Sequence, residues 1–86
     1  MNLSVELTLM PLKKDFIPSI KGFIKALRNS GFTVLENPLS TQIYGDYDAL
    51  MAFLTPKIKT TFEAEEAVIL QLKFVKGDRS QYAPDF

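Results

Sequence analysis

Hydrophobic and polar residues alternate at the beginning of the chain. Leucine or valine occupies every second position from residue 3 to residue 9, and Pro11 ends the run. This alternation is typical of a strand with one buried face. Similar but shorter patterns follow, and Asn37-Pro38 marks a turn between two of them. Four strands are therefore predicted, at residues 3–9, 32–36, 39–44 and 67–75.

Two amphipathic helices are predicted between these strands. The first has an apolar stripe at three- and four-residue spacing, formed by Ile17, Ile20, Phe23, Ile24 and Leu27. Asp15 is expected to cap this helix, and Pro18 falls in its first turn, where a missing N–H breaks no intrahelical bond. The second helix is expected to begin at the cap residue Asp46. Pro56 lies deep inside it and predicts a kink or a restart.

The predicted order of elements is β-α-β-β-α-β. Two split β-α-β units of this kind form an α+β ferredoxin-like sandwich, a four-stranded antiparallel sheet with two helices on one face. A single domain is predicted at residues 1–78, followed by a flexible tail at residues 79–86. The other sheet face is uncovered and mixed in polarity, with Ile69 beside Gln71 and Lys73. It predicts a homodimer or homotetramer.

Composition narrows the possible functions. Ten basic and ten acidic residues balance, which argues against nucleic acid as a partner because phosphate binding needs a basic excess. No apolar run is long enough to span a membrane, and no basic leader precedes a hydrophobic run, so a cytoplasmic location is expected. The chain has no Cys and no His. A thiolate nucleophile, a Ser-His-Asp triad and a sulfur-ligated metal are thereby excluded, and a non-catalytic binding protein without a cofactor is expected.

Three stretches of the chain resemble parts of a known family: LMPLKKDFIPSIKGFI (9–24), PLSTQIYGDYD (38–48) and AVILQLKFVKGD (67–78). They are similar, in that order, to the first strand-to-helix passage, the third strand and the last strand of the YkoF-like family of thiamine- and hydroxymethylpyrimidine-binding proteins. The resemblance implies a ferredoxin-like fold, assembly through the sheets and a site for thiamine or its pyrimidine precursor, with a role in vitamin uptake or salvage. Met10 stands where the family has an aromatic residue, which puts a stacking contact there in doubt.

Six residues are candidates for ligand binding under this resemblance. Thr41 would share a face with Leu39 and Ile43, so its hydroxyl is either a ligand contact or that of an ordinary strand residue bonded to the backbone. Ser40 lies on the opposite face unless a bulge turns it. The remaining candidates are Tyr44, which could stack on a ligand or fill a subunit contact; Met10 and Phe16, which could equally be core; and Asp15, whose carboxylate could meet a cation.

Two other classes of function are weighed against the binding protein. Ferredoxin-like domains also serve as oligomerising regulatory or sensor modules for other small metabolites. An enzyme that uses carboxylates or lysine is chemically possible, but no acid–base pair is evident in the sequence.

Overall fold

The computed structural model describes residues 1–86 and contains six regular elements. They are β1 (Asn2–Pro11), α1 (Ile17–Arg28), β2 (Thr33–Glu36), β3 (Thr41–Asp46), α2 (Tyr47–Ala64) and β4 (Val68–Lys76). The strands form one antiparallel sheet in the order β2-β3-β1-β4. Buried residues of both helices join a single cluster with β1, so the helices cover the same sheet face. The predicted ferredoxin-like fold is confirmed.

The strand register separates the two faces of the sheet. Val5 of β1 lies opposite Ile43 and Phe74, and its neighbour Glu6 lies opposite Gln42 and Lys73. Because side chains alternate along a strand, odd-numbered residues of β1 face the helices and even-numbered ones face the uncovered side. The uncovered side is called the open face below.

The core lies between the helices and β1. Its fully buried leucines on the helices are Leu27, Leu50 and Leu54, and they belong to one buried cluster with the inward residues of β1 and with Ile43 of β3. Burial of a leucine side chain contributes about 1.5–3 kcal/mol, so these positions carry much of the folding free energy. Neither helix combines the length and the apolar character that crossing a membrane requires.

The two helix starts differ in their capping. Asp46 caps α2 as predicted, because its Oδ2 accepts a hydrogen bond from the Ala49 N–H at 3.2 Å. The predicted cap at Asp15 is wrong: α1 is preceded by Phe16, and no side chain caps it. Asp15 lies one residue too early to take the N-cap position. A restart at Pro56 is also wrong, since α2 continues through it.

The third strand begins later than predicted. Asn37 Oδ1 accepts hydrogen bonds from the N–H groups of Leu39 and Ser40, at 2.9 and 3.1 Å, and holds residues 37–40 as a turn. β3 therefore starts at Thr41, and Leu39 is 89% exposed. The inward orientation predicted for Leu39 is wrong, whereas those of Thr41 and Ile43 are confirmed by their burial.

Candidate functional site

A recess lies where α1, the second half of β1 and the β2–β3 turn meet. It measures about 200 Å³ and is called the hairpin recess. Its apolar walls include Ile20, Phe23 and Ile24 of α1 and the exposed Leu39 of the turn. Its polar lining residues are Thr8, Asn37, Ser40 and Thr41, of which Thr8 and Ser40 direct their side chains to the open face. No charged residue lines it, so the recess offers packing and neutral hydrogen bonds and no group suited to proton transfer.

Thr41 provides the hairpin recess with a free hydroxyl. The residue is 8% exposed, and its Oγ1 forms no hydrogen bond with the rest of the chain. No side-chain oxygen or nitrogen is both sealed from solvent and unpaired in this structure, so the Thr41 hydroxyl keeps some solvent access, and Thr41 is among the residues that line the recess. A largely buried hydroxyl without a partner gains free energy when a ligand supplies one.

Ser40 and Asn37 have different roles at the rim of the recess. The Ser40 hydroxyl donates to Glu6 Oε2 at 3.0 Å and accepts from Gln42 Nε2 at 2.7 Å, so it is engaged on the open face. Asn37 lines the recess, and its oxygen accepts two backbone N–H groups of the turn. The Asn37 NH₂ group is left as a donor. The sequence marks Asn37 only as part of an Asn-Pro turn, and no local pattern identifies it as a site residue.

Tyr44 lies in a second recess, on the open face. This open-face recess measures about 150 Å³ and is lined by Ser4, Glu6, Gln42, Tyr44, Lys73 and Arg79, together with two valines. Burial raises the pKa of the Tyr44 hydroxyl, and the negative charges of Asp78 and Glu6 raise this pKa further. Tyr44 is therefore a neutral hydrogen-bonding group at physiological pH, on the opposite face of the sheet from the buried Thr41.

The other three candidate residues line neither recess. Met10 is partly exposed and lies opposite Ile69 on the open face. Asp15 and Phe16 are exposed just before α1, with Phe16 44% exposed. The six predicted site residues thus do not converge: Thr41 and Ser40 line the hairpin recess, and Tyr44 lines the open-face recess.

Comparison with known proteins places the chain by its fold. No protein-family model matches it, and no curated protein does. A Streptococcus pneumoniae protein of known structure is 25% identical, with a TM-score of 0.80 over 91% of this chain and 89% of that one. A candidate thiamine biosynthesis or salvage protein from Thermotoga maritima is 17% identical, with a TM-score of 0.76 over 86% of this chain and 82% of that one.

Two further structures show how widely the fold is shared. A domain of unknown function from Bacillus cereus is 19% identical, with a TM-score of 0.72 over 90% of this chain and 77% of that one. A de novo designed protein is 6% identical and has a TM-score of 0.58, over 91% of this chain and all of the designed one. Since a designed chain also adopts this architecture, the fold alone assigns no ligand. These comparisons establish that the chain shares the ferredoxin-like fold of all of these proteins.

Proposed function

We propose that the protein binds thiamine or its hydroxymethylpyrimidine precursor without transforming it, with the aminopyrimidine ring in the hairpin recess. One observation carries this proposal: the largely buried Thr41 hydroxyl has no partner in the chain and lines a recess with apolar walls. An exocyclic amine on a pyrimidine donates a hydrogen bond to such an oxygen. The Asn37 NH₂ group is suited to donate to a ring nitrogen, and the walls pack against the ring.

The size and neutrality of the hairpin recess favour one ring over two. Its volume of about 200 Å³ lies below the roughly 300–1,000 Å³ of sites for drug-sized ligands. No carboxylate lines it to stabilise the thiazolium cation of thiamine. In this binding mode the pyrimidine is enclosed and the thiazolium stays outside in solvent. We therefore expect hydroxymethylpyrimidine to bind at least as tightly as thiamine.

Calorimetric titration of Thr41→Val with both compounds tests the proposal. Valine keeps the shape of threonine and removes the hydroxyl, so the loss of affinity is expected to be about 1–3 kcal/mol, the cost of leaving a buried ligand group unpaired. Thr33→Val is the matched control, because Thr33 is an exposed strand residue of β2 outside the recess. Unchanged affinity in Thr41→Val would remove Thr41 as the contact. Absence of binding by the wild type at high micromolar ligand would refute the proposal.

The fold comparison supports a vitamin-related role in general and does not identify the ligand. The Thermotoga maritima structure, a candidate for thiamine biosynthesis or salvage, shares the fold over 86% of this chain. We propose a corresponding cytoplasmic role in vitamin uptake or salvage for this protein. The alternative is a regulatory module that senses another metabolite. It is favoured by one observation, the second recess on the opposite face of the sheet.

A further inference from the structure

The open-face recess is completed by the chain that follows β4. Gly77 has a φ of +101°, which lets the backbone turn sharply, and its N–H donates to the Asn2 carbonyl at 2.8 Å. The Ser4 hydroxyl, in a residue only 5% exposed, donates to the Gly77 carbonyl at 2.7 Å and accepts from the Arg79 N–H at 2.9 Å. These bonds fix the backbone of Arg79 at the rim of the recess.

Two cations of the open-face recess have no acidic partner in the chain. Lys73 and Arg79 form no ion pair; of the ten basic side chains only Lys13 and Arg28 do, with Glu65 and Glu36 at 2.9 and 2.7 Å. Lys73 lies directly opposite Glu6 on the neighbouring strand, a position in which opposite charges commonly pair.

The Glu6 carboxylate takes a different partner, since its Oε2 accepts from the Ser40 hydroxyl at 3.0 Å. The nearby Asp78 is also occupied. Its Oδ1 accepts from the N–H and the hydroxyl of Ser80, at 2.9 and 2.6 Å. The recess therefore combines two unpaired cations with one carboxylate that retains capacity to accept further hydrogen bonds.

From this arrangement we propose that the open-face recess binds a free α-amino acid. Lys73 and Arg79 receive its carboxylate, and Glu6 receives its ammonium group. A simple anion would meet the two cations and leave the Glu6 carboxylate without a positive partner, whereas a zwitterion satisfies both signs of charge. A volume of about 150 Å³ equals the liquid volume of roughly five water molecules, which suits a small amino acid with an aliphatic side chain.

NMR titration of the ¹⁵N-labelled full chain with neutral L-amino acids tests this assignment. At least one amino acid should give saturable shifts of the amide signals of Gln42, Tyr44, Lys73 and Arg79. For valine as the probe, 3-methylbutanoate lacks the amine and isobutylamine lacks the carboxylate. Each truncated probe should bind at least about tenfold more weakly, because one charged hydrogen bond is lost. Equal binding of 3-methylbutanoate, or no saturable shift with any amino acid at millimolar concentration, would overturn the proposal.

Single substitutions test which side chains contact the carboxylate and the ammonium group of the bound amino acid. Lys73→Met and Glu6→Gln should each weaken amino-acid binding about tenfold. The matched control is Lys76→Met, because Lys76 lies on the same strand outside the recess and should leave binding unchanged. If Lys73→Met binds the amino acid with full affinity, Lys73 is not a contact for its carboxylate. Because Lys73 is exposed, this variant is expected to fold. Thr41→Val should leave amino-acid binding unaffected, so this proposal and the pyrimidine proposal fail separately.

Discussion

At the residue scale, the absence of a side chain at Gly45 makes room for an aromatic ring. A Cβ at this position would lie 2.6 Å from Cδ1 and 2.9 Å from Cε1 of Phe32, whose ring packs against Phe53 at 5.8 Å between centroids. Gly45→Ala is expected to lower the free energy of unfolding by about 1–3 kcal/mol, because the crowded ring must move. Urea denaturation measures the loss.

Gly22→Ala is the matched control for this prediction. Gly22 lies inside α1, and an added Cβ would meet nothing within 4 Å. Alanine favours a helix interior over glycine by about 0.5–1 kcal/mol, so this variant should be more stable than the wild type. If the two variants shift stability in the same direction, the close approach of Phe32 to Gly45 is refuted.

Some positions of the hairpin recess could be predicted from the sequence and others could not. Alternation places Thr41 inward correctly, because β3 is regular from that residue on. It fails at Leu39, because the Asn37 side chain captures two backbone N–H groups and imposes a turn. The hydrogen bond from Ser40 to Glu6 joins the turn to the distant strand β1, and nothing local in the sequence predicts it.

At the element scale, the two helices depend differently on their first residues. Asp46→Ala removes the hydrogen bond to the Ala49 N–H and should lower the midpoint of thermal unfolding by about 4–8 °C, as expected for the loss of a helix cap in a small domain. Asp15→Ala is the control, because α1 has no side-chain cap to lose. It should shift the midpoint by less than about 2 °C. Equal effects would show that Asp46 is not acting as a cap.

The cap on α2 also makes stability depend on pH. The hydrogen bond from the Ala49 N–H, followed by the positive charge of the chain's N-terminal amine, lowers the pKa of Asp46. A carboxyl whose pKa is lower in the folded state stabilises the fold above its unfolded pKa, and this contribution is lost as the pH falls through the folded value. Asp46→Asn keeps a capping oxygen but does not titrate.

The comparison of wild type with Asp46→Asn isolates this titration. The stability advantage of the wild type should be constant near neutral pH and should shrink as the pH falls below about 5 and through the lowered pKa of Asp46. Denaturant titrations at a series of pH values measure it. A difference that does not change with pH would contradict the assigned role of the carboxylate.

At the scale of the whole molecule, the uncovered sheet face carries exposed apolar side chains, and for this reason we still expect the protein to self-associate. Ile69 on β4 and Leu35 on β2 are 48% and 42% exposed beside polar residues of the open face. We expect a homodimer or homotetramer whose mass, measured by light scattering, falls on dilution. Ile69→Lys should favour the monomer, whereas Lys59→Glu on the exposed side of α2 should not. A strict monomer at high micromolar concentration would refute the prediction.

The order of elements and the sheet topology could be predicted from the sequence, because each element carries its own pattern of apolar residues. The candidate site could not be predicted to the same extent. The hairpin recess is assembled from α1, β1 and the turn at residues 37–40, and its shape depends on how these distant segments pack. The family resemblance groups Tyr44, Met10 and Phe16 with Thr41 as candidates, and none of these three lines the recess that Thr41 lines.

The pairing of β1 with β4 has a consequence for synthesis on the ribosome. β1 lies in the interior of the sheet, and its longest ladder, from Leu3↔Lys76 to Pro11↔Val68, joins the first residues of the chain to some of the last. Until β4 has emerged, the nascent chain presents one side of β1 as an unpaired edge, the kind of edge that other chains can extend. The sheet can therefore be completed only after β4 has been synthesised, and until then the open edge of β1 is available for pairing with other chains.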